Sequence, residues 1–316
     1  MNGLWARFSR LDSGPDYTEQ EGQLAATIAV IAPGTMGSAV GRRLAEHGAR
    51  VLTLLEGRSE PTAQRARAAG MIGVAAAELA EADLILSIVP PGEALGLAAS
   101  LAPVLRQSRT KPAFVDCNAI NPDTMKQVAA ALADTGCAVL DGAIIGGPPA
   151  PGRDGPTFYV SGDPDRRAGI LSALGLKLRH IDGPLGGASA LKMVYGGINK
   201  GTIALGAAML LAAVRAGCAP GLRQEMSESV PEVLARFTDR IPDMYPKAYR
   251  WVAEMREIAA FLGPDDPAAQ MFDAAARVFA RVAEDRAGSG ALAASLNGAL
   301  GFDDGKGVAN AGGKGS

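Results

Sequence analysis

The sequence predicts an α/β fold: a Rossmann-type, doubly wound, mostly parallel sheet followed by an all-α C-terminal domain. Three observations predict it. In the first half, short β-type apolar runs alternate with helical stretches, the pattern of parallel strands joined by crossover helices. The first such run enters a glycine-bearing turn and then a helix. After Ile181 the alternation stops and only helical periodicity remains.

The chain has 316 residues, 48% of them hydrophobic, enough for a full core and two domains. Residues 1–24 are polar and turn-rich and 303–316 are rich in glycine, so both ends are expected to be disordered tails. Between them we place an α/β domain at 25–184 and an all-helical domain at 185–302. The strand candidates are 27–32, 51–56, 84–89, 113–118, 138–143, 158–161 and 178–181. Helices are expected at about 36–47, 62–69, 93–105, 122–135 and 164–174. Four more follow at 188–217, about 222–238, 243–262 and 267–286.

A formal charge of −2 without blocks of like charge gives no reason to expect nucleic acid or a membrane surface as partner. The apolar run from Thr202 to Val214 is too short to span a bilayer, and no signal-peptide core is visible. Cys117, Cys137 and Cys218 are odd in number and lack Cys-x-x-Cys spacing. We expect free buried thiols in a cytoplasmic protein. With only two histidines, His47 and His180, neither a histidine metal cluster nor a Ser/His/Asp triad is expected, and no metal is assigned.

Strand 27–32 leads into Pro33, Gly34, Thr35, Met36 and Gly37, a Gly-x-Gly-x-x-Gly in which Ala32 replaces the first glycine. The remaining two let backbone approach a pyrophosphate and helix pack close to strand. Glu56 ends the next strand, about 20 residues on, where a carboxylate accepts from an adenosine ribose. Arg58 and Ser59 follow and suit a 2′-phosphate instead, so the cofactor is NAD or NADP. Val89, Pro90 and Pro91 end the next long strand and can wall a nicotinamide without leaving an N–H unsatisfied. Asn118 ends the one after. Its amide can bond a ribose hydroxyl or the substrate, or else serve as an N-cap or Asx-turn before Asn121 and Pro122.

The glycine-rich turn at Gly183, Gly186 and Gly187 opens the longest helix. On it Lys192, Gly196, Asn199 and Lys200 share one face, while apolar residues around much of the circumference mark a helix buried on most sides. The polar stripe either snorkels to water or lines a cleft in which Gly196 leaves room for a ligand. In segment 245–254, Lys247, Arg250, Trp251 and Glu254 share a helical face that either roofs the site or covers core.

Three motifs in order, APGTMG at 32–37, DGAIIGG at 141–147 and GPLGGASALKMVYGG at 183–197, resemble the β-hydroxyacid dehydrogenase and 6-phosphogluconate dehydrogenase superfamily. The resemblance covers about residues 27–215, and the segment KAYRWVAEMREIAAF resembles the helical C-terminal domain of a poorly characterised branch. It implies that Lys192 exchanges a proton with the reacting hydroxyl or carbonyl. It also implies that Ile145, Gly146 and Gly147 face substrate with Lys192, and that the chain is a homodimer whose 25–184 domain binds the dinucleotide and whose 185–302 domain serves substrate and dimerisation; read from the residues themselves, Asn118, Gly196, Lys247 and Trp251 join the substrate-binding set. Two polar contacts of that family are replaced, by Gly196 and Ile145. Asn199 and Lys200 stand where 6-phosphogluconate dehydrogenases carry a glutamate and a tyrosine, which argues against 6-phosphogluconate as substrate. The expected activity is NAD(P)-dependent hydride transfer on a hydroxy acid or related small-molecule alcohol or carbonyl, with Lys192 as acid/base and Asn199 and Lys200 as supporting catalytic contacts. Alternatives are reduction of C=N bonds, as in imine reductases, which generally lack the lysine, and a dinucleotide-binding sensor or scaffold without catalysis.

Overall fold

A computed structural model describes residues 25–150, 152 and 155–302; the two tails expected from the sequence lie outside them. Eight strands form one sheet: β1 (Thr27–Ile31), β2 (Arg50–Leu54), β3 (Ile72–Val74), β4 (Leu84–Ser87), β5 (Ala113–Asp116), β6 (Val139–Ile145), β7 (Thr157–Ser161) and β8 (Lys177–His180). Their order is β3-β2-β1-β4-β5-β6-β7-β8, so the chain reverses direction across the sheet between β1 and β4. In open sheets of this kind that point, beyond the strands' carboxyl ends, is where ligands bind. Helices α1 (Thr35–Glu46), α2 (Glu60–Ala68), α3 (Ala76–Leu79), α4 (Ala94–Gln107), α5 (Pro122–Leu132) and α6 (Ile170–Ala173) connect the strands. Val30, Val115 and Phe158 fill the core on one face of the sheet, Ile31, Ile85 and Phe114 that on the other.

The fold class is the expected one, with local corrections. The three-residue β3 and the one-turn α3 were not anticipated; with two of its residues exposed, β3 gives no apolar run to read. All neighbours pair in parallel except β6 and β7, which are antiparallel. The segment 146–156 between them is rich in glycine and proline and shows no helix among its described residues, so the chain returns beside the strand it has just left.

The second half is helical: α7 (Gly187–Arg215), α8 (Ala219–Ser229), α9 (Pro231–Met244), α10 (Ala248–Leu262), α11 (Pro267–Ala287) and α12 (Ala291–Leu300). The single helix expected at 222–238 is two, broken before Pro231, which lacks the N–H needed to continue one. Helix α12 was not anticipated. Ile241, Met255 and Phe279 are central to a separate core.

Helix α7 joins both halves, but it is not buried on most sides. Val194, Ile198, Leu205 and Met209 stand 51–65% exposed along one bare stripe. Its glycines are used within the chain: Gly197 and Gly201 lie against Phe272 of α11, and Gly206 against Phe237 of α9. By length and composition α7 is apolar enough to cross a membrane, which the shorter run 202–214 did not suggest, and nearly half of its most apolar stretch is buried inside the protein. The three thiols are free, Cys117 buried, Cys137 half-buried and Cys218 exposed, so the expectation of burial fails at Cys218.

Candidate active site

Strand β1 ends in the turn Ala32–Gly34, and α1 begins at Thr35. The Gly34 N–H donates to the Ala32 carbonyl at 2.8 Å. A Cβ on Gly37 would lie 2.1 Å from that same carbonyl oxygen, whereas one on Gly34 would meet nothing within 4 Å. Gly37 therefore fits helix to strand, and Gly34 leaves open space. No side chain caps α1 and no acidic residue stands in its first turn. Such an N-terminus offers N–H groups and a positive pole to an anion, so the cradle fits a dinucleotide pyrophosphate.

Glu56, Arg58 and Ser59 lie together, exposed, in the turn after β2. The sequence reading missed two neighbours from α2. Arg65 Nε donates to the Pro33 carbonyl at 3.1 Å and its Nη2 to Thr62 Oγ1 at 3.2 Å, and the Thr62 hydroxyl is 3.1 Å from Ser59 Oγ. Arg65 thus ties the segment that would meet the adenosine ribose to the pyrophosphate turn.

At the ends of β4 and β5, Val89 is buried, Pro90 exposed and Pro91 opens a 3-10 turn. Asn118 corrects the sequence reading. It is 3% exposed and bonded within the protein: Nδ2 donates to Ser87 Oγ and Asp116 Oδ2, both at 2.8 Å, and Oδ1 accepts from the Val89 N–H at 2.7 Å. It fixes the strand end that carries the proline wall instead of offering its amide to a ribose. The N-cap is Asn121, whose Oδ1 accepts from the Asp123 and Thr124 N–H groups.

A row of buried polar side chains lies beneath these turns. Ser87, Asp116, Asp141 and Ser161 are in register on β4, β5, β6 and β7, each no more than 1% exposed. Burial raises the Asp116 pKa from 3.8 to about 6, against hydrogen bonds from Asn118 and with the Asp141 charge adding to the rise. Burial also raises Asp141, although that carboxylate accepts from Ser161 Oγ at 2.9 Å, Gly186 N at 3.1 Å, Ser189 N at 2.9 Å and Ser189 Oγ at 2.6 Å. Asp141 holds the first turn of α7. An aspartate inside an apolar β-type run was the available signal. Buried Cys117 beside the pair has its thiol pushed up by burial and both carboxylates, which disfavours a reactive thiolate.

With α7 so held, the Lys192 amine donates to the Ile144 carbonyl near the end of β6. Desolvation first, and then the Lys200 ammonium, lower its pKa from 10.5 to about 8, while Glu254 opposes them. Ile145 is half-buried; Gly146, at φ 125°, packs on Pro156, and Gly147 faces open space. Lys200 forms an ion pair with Glu254 of α10 and stands 5.5 Å from the centre of the Trp251 ring, whose edge meets Phe279.

Helix α10 also packs on the 3-10 turn at 91–93, and Glu257 accepts from Asn121 N at 2.9 Å and Nδ2 at 2.8 Å. It thus lies over the loops that follow β4 and β5, while its Trp251 packs against the helical core. Two expected contacts are spent elsewhere. Asn199 donates to the Tyr195 carbonyl at 2.9 Å and accepts from Arg236 at 2.7 Å, and Lys247 pairs with Asp243 at 2.5 Å. Because Lys247 lies in a 3-10 turn before α10, the helical spacing that grouped it with Trp251 and Glu254 does not apply.

Residues 27–178 match the NAD binding domain of 6-phosphogluconate dehydrogenase, and residues 213–282 match a domain of unknown function, DUF1932. No match is found among curated proteins. Among solved structures, the conserved protein MTH1747, described as structurally similar to 3-hydroxyacid dehydrogenases, is 26% identical. The alignment covers 84% of this chain and 98% of that one, with a TM-score of 0.64. A conserved hypothetical protein from Sinorhizobium meliloti 1021 is also 26% identical, covering 87% and 97%, at 0.65. The 3-hydroxyisobutyrate dehydrogenase of Mycobacterium tuberculosis shares the fold at 21% identity, 87% and 99% coverage and 0.62.

Proposed function

We propose that this chain, which joins a 6-phosphogluconate dehydrogenase-type NAD-binding domain to a DUF1932 helical domain, is an NAD(P)-dependent oxidoreductase acting on a hydroxy acid or related alcohol or carbonyl compound. The observation that carries the reading is Lys192. A lysine amine with a pKa near 8, bonded among the described residues to the Ile144 carbonyl and held near the strand ends under α10, can take a proton in one direction and return it in the other.

A dinucleotide held at the Ala32–Gly37 turn and walled by Val89, Pro90 and Pro91 would supply the nicotinamide as hydride acceptor or donor. On oxidation the substrate hydroxyl gives its proton to Lys192 Nζ as the carbon loses hydride, and on reduction the protonated amine returns it to the new alkoxide. Asp141 and Asn118 contribute by fixing the two backbone segments between which the reaction runs. Cofactor choice rests on Glu56, which favours NAD, against Arg58 and Ser59, joined by Thr62 and Arg65, which suit NADP. Lys192→Ala is expected to lower turnover by about 10²–10⁴-fold with cofactor affinity kept. Normal turnover in that variant, in a screen of hydroxy acids, oxo acids and cyclic imines with NADH and NADPH, would remove Lys192 from the chemistry.

The cytoplasmic homodimer expected from the sequence belongs to the same proposal. The bare stripe on α7 reads alike in both directions about residues 201 and 202, Ile198 with Leu205 and Val194 with Met209, the pattern a two-fold contact requires. With Tyr195 and Met271, six side chains at roughly 100 Å² apiece approach the about 800 Å² per partner of a standard interface. A monomer by light scattering at micromolar concentration would exclude it.

A further inference from the structure

Lys200 and Glu254 are a part of the site that the reaction above does not use. Both are largely buried, at 18% and 21% side-chain exposure, and they come from different helices, so folding rather than local sequence brings them together. Gly196 borders the ammonium: a Cβ there would stand 3.9 Å from Lys200 Nζ and 3.8 Å from Ile258 Cδ1 of α10, ordinary contact distances that a methyl could keep. Any larger side chain would compete with Lys200 for that space. Trp251 closes another side, its ring 5.5 Å from the ammonium. A lysine that merely snorkelled would carry its head to water; this one is turned inward and held by a carboxylate.

We propose that Glu254 is a positioning residue for the acid/base amine, holding the Lys200 ammonium beside Trp251 so that a fixed pair of opposite charges acts on Lys192. This role rests on Lys192 being the proton carrier. Lys200 stands about two turns beyond Lys192 on α7, and Glu254 crosses from α10 to meet it, so this pair is the charge set beside the amine. Strand β6 presents the Ile144 carbonyl, while its Asp141 is engaged by Ser161, Gly186 and Ser189. On α10, Glu257 is engaged by Asn121. Lys200 favours the neutral amine and Glu254 the protonated one, so the two have opposite signs.

Trace acetylation of the intact protein at a fixed neutral pH, read residue by residue by mass spectrometry, reports the free-amine fraction of Lys192 and needs no substrate. Lys200→Met removes the like charge and is expected to slow Lys192 labelling roughly tenfold. Glu254→Gln keeps an oxygen to hold Lys200 but removes the opposing charge, and is expected to speed labelling about threefold or more. The double variant returns labelling towards wild type, a reversal that simple loosening of the helices would not give. Single variants that both label within about twofold of wild type, or that move in the same direction, overturn the assignment. Because Lys192→Ala turnover is measured separately, the oxidoreductase reading and this coupling can fail independently.

Discussion

Two helix N-termini face the same side of the sheet and are treated in opposite ways. At α1 the cap is Gly34, with no side-chain bond, no acid in the first turn and open space where a Cβ would be. At α7 the cap is Gly186, again without a side chain of its own, but Asp141 reaches up from β6 and accepts from Gly186 N, Ser189 N and Ser189 Oγ. Both ends carry the partial positive charge of aligned peptides. One is left for an anion brought from outside, and the other is satisfied by the chain's own carboxylate. The contrast separates an open N-terminus from a fastened one, and the fastened one carries Lys192 in its second turn.

Asp141→Ala breaks the comparison most severely. It orphans four buried donor groups and is expected to cost about 3–5 kcal/mol. A lowered denaturant midpoint at unchanged slope would show it. An unchanged midpoint would mean that α7 is held by something else.

The neighbouring carboxylate gives a pH signature. Asp116 has a folded pKa of about 6 against an ordinary 3.8, so the native state binds its proton more tightly. The associated stability is fully present below the ordinary value and is lost as pH rises through about 6, amounting to up to ~3 kcal/mol. Asp116→Asn should flatten that part of the profile between about pH 4 and 7, measured as the difference from wild type in unfolding free energy. Equal slopes in the two proteins would place the titration elsewhere.

Two alanine substitutions sharpen the other side of the comparison. Gly37→Ala drives a methyl into the Ala32 carbonyl and is expected to cost about 1–3 kcal/mol together with cofactor binding. Gly34→Ala meets no protein atom, at an ordinary φ of −70°. It should leave stability within about 0.5 kcal/mol and weaken NADH or NADPH affinity roughly tenfold by occupying the ligand's space. Fluorescence titration of both variants distinguishes the two roles, and equal losses of stability would erase the distinction.

What the sequence disclosed follows from the range of each constraint. The strands of the sheet were legible because both its faces are buried, so 28–31 or 113–115 reads as a continuous apolar run. The phosphate turn was legible because the backbone there demands glycine at Gly37, and Lys192 because it follows a recognisable glycine-rich turn. The bonds between distant residues were not. Arg65 reaching Pro33, Glu257 reaching Asn121 and Glu254 reaching Lys200 join elements whose approach is decided by topology. Asn118 misled for the same reason: its partners Ser87 and Val89 lie on a neighbouring strand end. Even the break at Pro231 needed only local sequence but was read through, since the apolar spacing continues across it.

The alanine at the head of the cofactor turn bears on how such chains are recognised. Its carbonyl, not its Cα, does the structural work, accepting from Gly34 and lying against Gly37, and the methyl is tolerated. A motif scan that insists on glycine at that first place would discard this chain, whereas one that relaxes the first place and keeps the third strict would retain it and other divergent dinucleotide binders built alike.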